Sequence, residues 1–394
     1  MQSVFPTGSI LLTGATGFVG GRLLEGLLQR TRRPIICLIR ARDHCDAHHR
    51  GWAVTSDPRV RFVCADLTRK NLGMDKSTWC ALARAVNEIY HCAASVEFDL
   101  PLETSRAINV DGTRRLLKLA DAARAVGGFT RFHHVSTAYV AGKLARRVDA
   151  NHLPPDNPEH FRNNYERTKA CAERLLREQS RVSVSIYRPS IIAGDTQTGE
   201  TDAWNVLYQP MRMIHRGQLP LLRMGGPGRL DVVGVDYVVN GILTLAELDA
   251  GPIASYHLTS GHRHLNVEQF ARISVEQCRN HDPQSRVRCR IVNPKQWLLL
   301  RFAAQTAQRA PCTFAELRRW GELVARGLQR FSIFEPYTEV ETIFDSRSEV
   351  RILTRAGVRM PRPQEYLRLI ADYAIGADFG SRPTAAAEAR AVAS

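Results

Sequence analysis

Residues 9–30 read SILLTGATGFVGGRLLEGLLQR, and this stretch decides the fold. The apolar run at 10–13 reads as a buried strand, and the apolar positions from Phe18 to Arg30 recur with helical spacing. Between the two, Gly14, Gly17 and Gly20 stand three residues apart. A strand, a glycine turn and a helix in that order bring the backbone close to a pyrophosphate. The free N–H groups and positive dipole end of the helix then attract its charge. The flanking strand and helix separate this arrangement from an ordinary glycine-rich turn. Thr13, Thr16, Phe18 and Val19 fall within the same turn and join the glycines as candidate cofactor contacts.

Outward from this unit, short apolar β-branched runs continue to alternate with helical patterns up to about residue 195. PIICLI at 34–39, VRFVC at 60–64, EIYHC at 88–92, FHHVST at 132–137 and VSVSIY at 182–187 are predicted strands. Trp79 to Ala85, Asn109 to Ala125 and Tyr165 to Gln179 are predicted helices. Such alternation specifies an α/β fold, a doubly wound parallel sheet. Residues 1–195 form the expected dinucleotide-binding (Rossmann) domain, and 231–259 are expected to rejoin its sheet. Gly/Pro-rich stretches after Ile192 place a smaller C-terminal substrate-binding lobe at 196–230 and 260–379, with a flexible tail at 380–394. The basic, intermittently apolar segment from Trp297 to Arg330 is expected to be partly helical, covering the substrate pocket in preference to touching a membrane surface.

A chain of 394 residues, 44% hydrophobic and 24% charged, has the composition of a soluble globular protein. No apolar run reaches the roughly 20 residues of a membrane span. Nine scattered cysteines without C-x-x-C spacing exclude a disulfide framework and fit a reducing cytoplasm. His44, Cys45, His48 and His49 form the densest cluster of metal-ligating types, but they lie in a predicted cofactor-edge loop and no metal site is expected. The formal charge of +15 favours anionic partners such as phosphorylated cofactors, coenzyme A or acidic carrier proteins. Only six of the cations are Lys, and no basic block with interleaved aromatics points to nucleic acid.

The end of the second predicted strand decides the cofactor, because an acidic residue there binds the ribose 2′-hydroxyl of NAD. Here it reads Ile39-Arg40-Ala41-Arg42, so a guanidinium meets the 2′-phosphate of NADP instead. Asp66, followed by Leu67 at the end of the third strand, is placed either to accept from the adenine amino group or to form a turn.

Tyr165 and Lys169 lie four residues apart in NNYERTKACAERLL, hence on one helix face. A neighbouring ammonium is expected to lower the phenol from its usual pKa of about 10, and it also suits the ribose hydroxyls of a nicotinamide. Thr137, at the carboxyl edge of the sheet in HVSTAYV, is the expected second donor to a reacting carbonyl oxygen, with Ser136 in reserve. His91, His133 and His134 read as structural.

In their order and spacing, TGATGFVG, HCAASVEFDLPL, INVDGTRRLL, HVSTAYV, YERTK, YRPSIIAG and VVGVDYVVNGI resemble the extended short-chain dehydrogenases. The likeness is closest to fatty acyl-CoA reductases of the male-sterility type and to thioester reductase domains of carboxylic acid reductases, and it spans about residues 9–260. The resemblance implies Thr137, Tyr165 and Lys169 as a catalytic triad and Gly14, Gly17 and Gly20 as the pyrophosphate loop. It further implies Arg40 and Arg50 on the NADP(H) 2′-phosphate, Ala93 and Ala94 along the cofactor, Asn109 supporting the active-site backbone, and Pro189, Ser190 and Ile191 at the nicotinamide. The implied activity is NADPH-dependent reduction of an acyl thioester, carried on coenzyme A or an acyl carrier protein, to an aldehyde and onward to a primary alcohol. Two other readings use the same residues. One is an NADP-dependent dehydrogenase or epimerase acting on a ketone, sterol or sugar nucleotide; the other is a non-catalytic NADP-binding sensor.

Overall fold

The computed structural model describes residues 5–204, 206–219, 221–223, 228–248, 251–309, 314–331, 337 and 340–381, without the side chains of 323 and 327–331. The first strand, β1 (Ser9–Thr13), and the second, β2 (Ile35–Ile39), are buried at every position, as unbroken apolar runs in a covered parallel sheet must be. Between them α1 (Phe18–Arg30) buries Leu23, Leu24 and Leu27 on the sheet. Next come α2 (His44–Trp52), β3 (Val60–Cys64), α3 (Lys76–Ala85), β4 (Val86–His91), α4 (Leu102–Asn109), α5 (Asp111–Val126) and β5 (Arg131–Val135). After a short strand β6 (Arg147–Val148) follow α6 (Asn164–Gln179), β7 (Ser183–Pro189) and β8 (Ile191–Ala193).

The predicted cofactor-edge loop contains α2, because Asp43 caps it by accepting from the Asp46 N–H at 2.9 Å. Arg50 therefore sits on a helix, where a loop was expected. The stretch predicted as a helix from Asn109 is preceded by the separate helix α4, which Val110 joins to α5.

The chain then runs through α7 (Tyr208–His215), β9 (Leu221–Arg223), β10 (Arg229–Leu230), β11 (Val232–Gly234), α8 (Val235–Ala246) and β12 (Ile253–Leu258). The main sheet has seven parallel strands in the order β12-β7-β5-β4-β1-β2-β3. This is the doubly wound parallel sheet expected from the alternation of patterns. Within 231–259 the strand that joins it is β12, paired with β7 from Ile253↔Val184 to Leu258↔Pro189. The segment that looked most strand-like there, β11, pairs instead with β8.

Beyond the sheet lie β13 (Leu265–Asn266), α9 (Val267–His281), β14 (Arg290–Val292), α10 (Pro294–Gln308), α11 (Ala315–Phe331), β15 (Ile343–Phe344), α12 (Arg347–Arg355) and α13 (Pro363–Gly376). Their apolar faces build a separate core around Tyr208, Met211, Phe270, Tyr366 and Ile370, which reaches Tyr139 and Ile191 at the carboxyl edge of the sheet. Residues 382–394 of the expected tail lie outside the described residues. Among the described residues, no helix is long and apolar enough to cross a membrane.

Candidate active site

Gly14 leaves β1 with φ +79°, and a Cβ there would stand 2.8 Å from the Ala93 nitrogen. At Gly20 a Cβ would lie 2.0 Å from the Gly14 carbonyl oxygen. Both positions therefore exclude a side chain, and α1 starts flush against the loop. Gly17 occupies its N-cap and offers no side-chain acceptor, so the first-turn N–H groups open toward a cavity of about 570 Å³. Thr13, Gly14, Thr16, Gly17, Phe18, Val19 and Gly20 all line it, as do Ala93 and Ala94 from the segment packed beside Gly14.

Arg40 and Arg50 meet at one rim, where Arg50 Nη1 donates to the Arg40 carbonyl oxygen. Arg42 turns away toward Asp46. Asp66 and Leu67 line the same end. Asp66 Oδ1 accepts from the Thr68 N–H at 2.8 Å and its hydroxyl at 2.6 Å, so the turn-forming role is present whatever else its carboxylate meets. A sterically excluded glycine cradle, an uncapped helix and two cations at the far rim fit the pyrophosphate and adenosine end of a dinucleotide.

At the other end, α6 is capped by Asn163, whose side chain accepts from the Glu166 N–H at 2.9 Å. Its first turns bring Tyr165 and Lys169 to the cavity wall opposite Thr137. Lys169 is buried; its Nζ donates to the Val135 carbonyl oxygen at 2.8 Å and lies 3.3 Å from His134 Nε2. Thr137 Oγ1 accepts from the Tyr139 N–H at 3.3 Å and donates to the Pro189 carbonyl oxygen at 3.4 Å. Pro189, Ser190 and Ile191 run along the same wall. Ser136 is not available as the reserve donor, because its Oγ is committed to Glu173 Oε1 at 2.6 Å.

The electrostatics differ from the expectation that Lys169 pulls the phenol down. Burial pushes Tyr165 up to about 12, opposed by a hydrogen bond with Thr137. Burial likewise lowers Lys169 to about 8, opposed chiefly by the carboxylate of Glu173. The Lys169 ammonium is anchored on a strand carbonyl, and it is the hydrogen bond with Thr137 that opposes burial at the phenol. His91 falls to about 3 through burial and the nearby Lys169, and His134 falls well below its usual range for the same reasons. His133 is fixed between Tyr187 Oη at 2.9 Å and Glu88 Oε1 at 2.8 Å. Asn109 Oδ1 accepts from the Ser95 N–H at 2.9 Å while its Nδ2 donates to Thr168 Oγ1 at 3.0 Å, tying the loop after β4 to α6.

The sequence reading missed an aromatic wall. Phe98 lies 5.9 Å from Tyr165 and 5.3 Å from Tyr337 between ring centroids, and Tyr139 meets Tyr337 edge-on at 5.4 Å. Phe98 and Tyr139 belong to the quoted motifs HCAASVEFDLPL and HVSTAYV, but only the fold turns their rings inward; Tyr337 carries no local signal. Among the described residues, Val96, Ile108, Ala203 and Val206 complete an apolar lining. None of the described residues of 297–330 lines the cavity, contrary to the expected pocket cover; α10 and α11 pack on each other instead. A second cavity of about 860 Å³, between α12 and the 260–263 turn, is larger but holds none of the sequence-predicted site residues.

The family model for the male sterility protein matches residues 12–242, more than half of the chain. The chain belongs to this family. Fatty acyl-CoA reductases and reductase domains of peptide synthetases are among the proteins similar to it. Glycine betaine reductase ATRR of Emericella nidulans is 31% identical over 64% of this chain and 21% of its own length. Human fatty acyl-CoA reductase 2 is 28% identical over 64% of this chain and 58% of its own. The terminal R domain of the myxalamid PKS-NRPS pathway superposes with a TM-score of 0.75 at 25% identity, covering 97% of this chain and 94% of that one. This chain thus spans about a fifth or less of the first curated relatives it matches, but nearly a whole solved R domain.

Proposed function

We propose that this protein is an NADPH-dependent reductase that delivers hydride to an acyl thioester, held on coenzyme A or an acyl carrier protein, and releases an aldehyde. The observation that carries this reading is the convergence of Thr137, Tyr165 and Lys169 on the cavity that holds the glycine cradle. Bound NADPH supplies the hydride. Arg40 and Arg50 would grip its 2′-phosphate, which accounts for two cations where an NAD site places a carboxylate. Gly14, Gly17 and Gly20 would take the pyrophosphate, and Pro189, Ser190 and Ile191 the nicotinamide side.

Reduction needs an acid, and a phenol raised to about 12 is protonated at neutral pH. Tyr165 and Thr137 would donate hydrogen bonds to the thioester oxygen as it gains charge. The tetrahedral hemithioacetal oxyanion then collapses, its C–S bond breaks, and the thiolate leaves with a proton. After exchange of the spent coenzyme for a second NADPH, another hydride from it with a proton from Tyr165 would convert the aldehyde to a primary alcohol. Lys169 would hold the ribose hydroxyls and keep positive charge beneath the phenol.

The lining favours an acyl group over a sugar nucleotide. Beyond the dinucleotide residues it is Val96, Phe98, Ile108, Tyr139, Ala203, Val206 and Tyr337, and no described cation there would meet a second diphosphate. The same reading divides the chain into a nucleotide-binding unit at 1–195 with 231–259 and a substrate lobe at 196–230 and 260–379. The test is NADPH oxidation with acyl-CoA and acyl-carrier thioesters beside ketones and aldehydes, with products identified. Thioester turnover to aldehyde or alcohol is expected; turnover restricted to secondary ketones would overturn the proposal.

A further inference from the structure

Glu173 and Arg188 are both fully buried, yet neither touches the cavity. Arg188 Nε lies 2.9 Å and Nη2 2.5 Å from the two carboxylate oxygens, a forked pair, and Nη1 donates to the His152 carbonyl oxygen at 2.8 Å. Ser136 donates its hydroxyl to Glu173 Oε1 at 2.6 Å, and Arg177, one turn further along the helix, brings Nη2 to 3.9 Å from Oε2. Desolvating two ions costs several kcal/mol each, so such a pair is weak evidence for stability and invites another explanation.

Its position provides one. Glu173 is four residues after Lys169 on α6, hence one turn along the same face. Ser136 precedes Thr137, and Arg188 precedes Pro189, so the cluster joins the three segments that carry the proposed reaction: the end of β5, the end of β7 and the middle of α6. We propose that Glu173 is a positioning residue: clamped by Arg188 and Ser136, it holds a fixed negative charge one helical turn from Lys169 and locks α6 against both strand ends. This rests on the reductive role of Lys169 proposed above.

The groups facing Lys169 make Glu173 its only close carboxylate among the described residues. From β5 comes His134, kept neutral by burial; from β4 and the residue after it come His91, also neutral, and the Cys92 thiol, pushed up by desolvation. Tyr165 shares its helix and is protonated at neutral pH. Among the forces on Lys169, the Glu173 carboxylate is the largest that favours its charged form. Removing that carboxylate therefore makes Lys169 lose its proton at lower pH.

Glu173→Gln alone would strand a buried guanidinium and risk misfolding, so the decisive variant is the double change Glu173→Gln with Arg188→Met, beside Glu173→Asp and Ser136→Ala. Lys169 is titrated directly by measuring how fast acetic anhydride acetylates it across a pH series in the coenzyme-free protein, read by peptide mass spectrometry. The double variant is expected to move that titration down by about one pH unit, a tenfold change in equilibrium. The alkaline limb of kcat should move with it, and KM for the thioester should stay within about twofold. Glu173→Asp should restore most of the titration, and Ser136→Ala should lower kcat without moving the limb. A folded double variant with the Lys169 titration unchanged overturns the proposal, whether or not thioesters are substrates; failure of every thioester with the titration moved refutes the substrate reading alone.

Discussion

Lys169 donates from Nζ to the Val135 carbonyl oxygen at 2.8 Å, so the ammonium is fixed by the last residue of the strand that leads into Ser136 and Thr137. This bond decides how the pair on α6 works. The charge is anchored at the cavity wall, and burial, opposed chiefly by Glu173, brings Lys169 down to about 8.

The pH dependence follows with a definite sign. Lys169 is charged below about 8 and loses its proton as pH rises through that value. kcat/KM for NADPH, which reports ionisations of the free enzyme, is therefore expected to be flat near pH 7 and to fall with an alkaline limb near 8. A flat profile up to pH 10 would show that the charge is not needed.

Tyr165→Phe removes the proposed acid and keeps the ring that packs near Phe98 at 5.9 Å. Turnover should fall by about two to four orders of magnitude, while the NADPH Kd from fluorescence titration stays within about threefold. Loss of NADPH binding instead would assign the residue a structural role.

Arg40→Ala tests the cofactor. It removes one of the two cations at the adenosine rim, and should weaken NADPH about tenfold or more with little effect on NADH. Equal losses for both coenzymes would count against a 2′-phosphate site.

Phe98→Ala opens the aromatic wall between Tyr165 and Tyr337. KM for acyl thioesters should rise about tenfold, in line with the loss of a stacked ring, and NADPH affinity should not change. Steady-state kinetics against a short and a long acyl chain would check it, and an unchanged KM for both would remove Phe98 from the substrate pocket.

Acid should destabilise the fold through His91, held between Thr13 Oγ1 at 2.8 Å and Thr113 Oγ1 at 3.0 Å. Its folded pKa of about 3 lies below the ordinary 6.5, so stability is complete above 6.5 and is lost as pH falls toward 3. By pH 5 this single group should cost about 2 kcal/mol. Thermal unfolding from pH 7 to 4 should show the decline, and His91→Gln should flatten it; an equal slope in that variant would assign the decline to other groups.

SILLTGATGFVG at 9–20 was enough to place the glycine cradle, because strand, turn and helix are local patterns and the dinucleotide loop is one continuous segment. A continuous apolar run marked β2 and a nearly continuous one β1, since strands buried on both faces leave little room for polar residues, while β3, β4, β5 and β7 were marked by short runs of β-branched, aromatic and apolar residues that polar ones interrupt. The helix α2 escaped notice because HCDAHHRGW is mostly polar and its start depends on one cap at Asp43. The seventh strand at Ile253–Leu258 looked no stronger locally than Val232–Gly234, and only pairing with β7 chose between them.

The sequence by itself determined the parallel sheet, the glycine loop and the Tyr165–Lys169 spacing, all written in short-range periodicity. Tertiary structure alone decided three other things: that burial raises Tyr165 with Thr137 opposing it, that Ser136 serves Glu173, and that Tyr337 closes the cavity from 172 residues beyond Tyr165. Desolvation and contacts between distant segments depend on what surrounds a group in space, and no local pattern of residues records that.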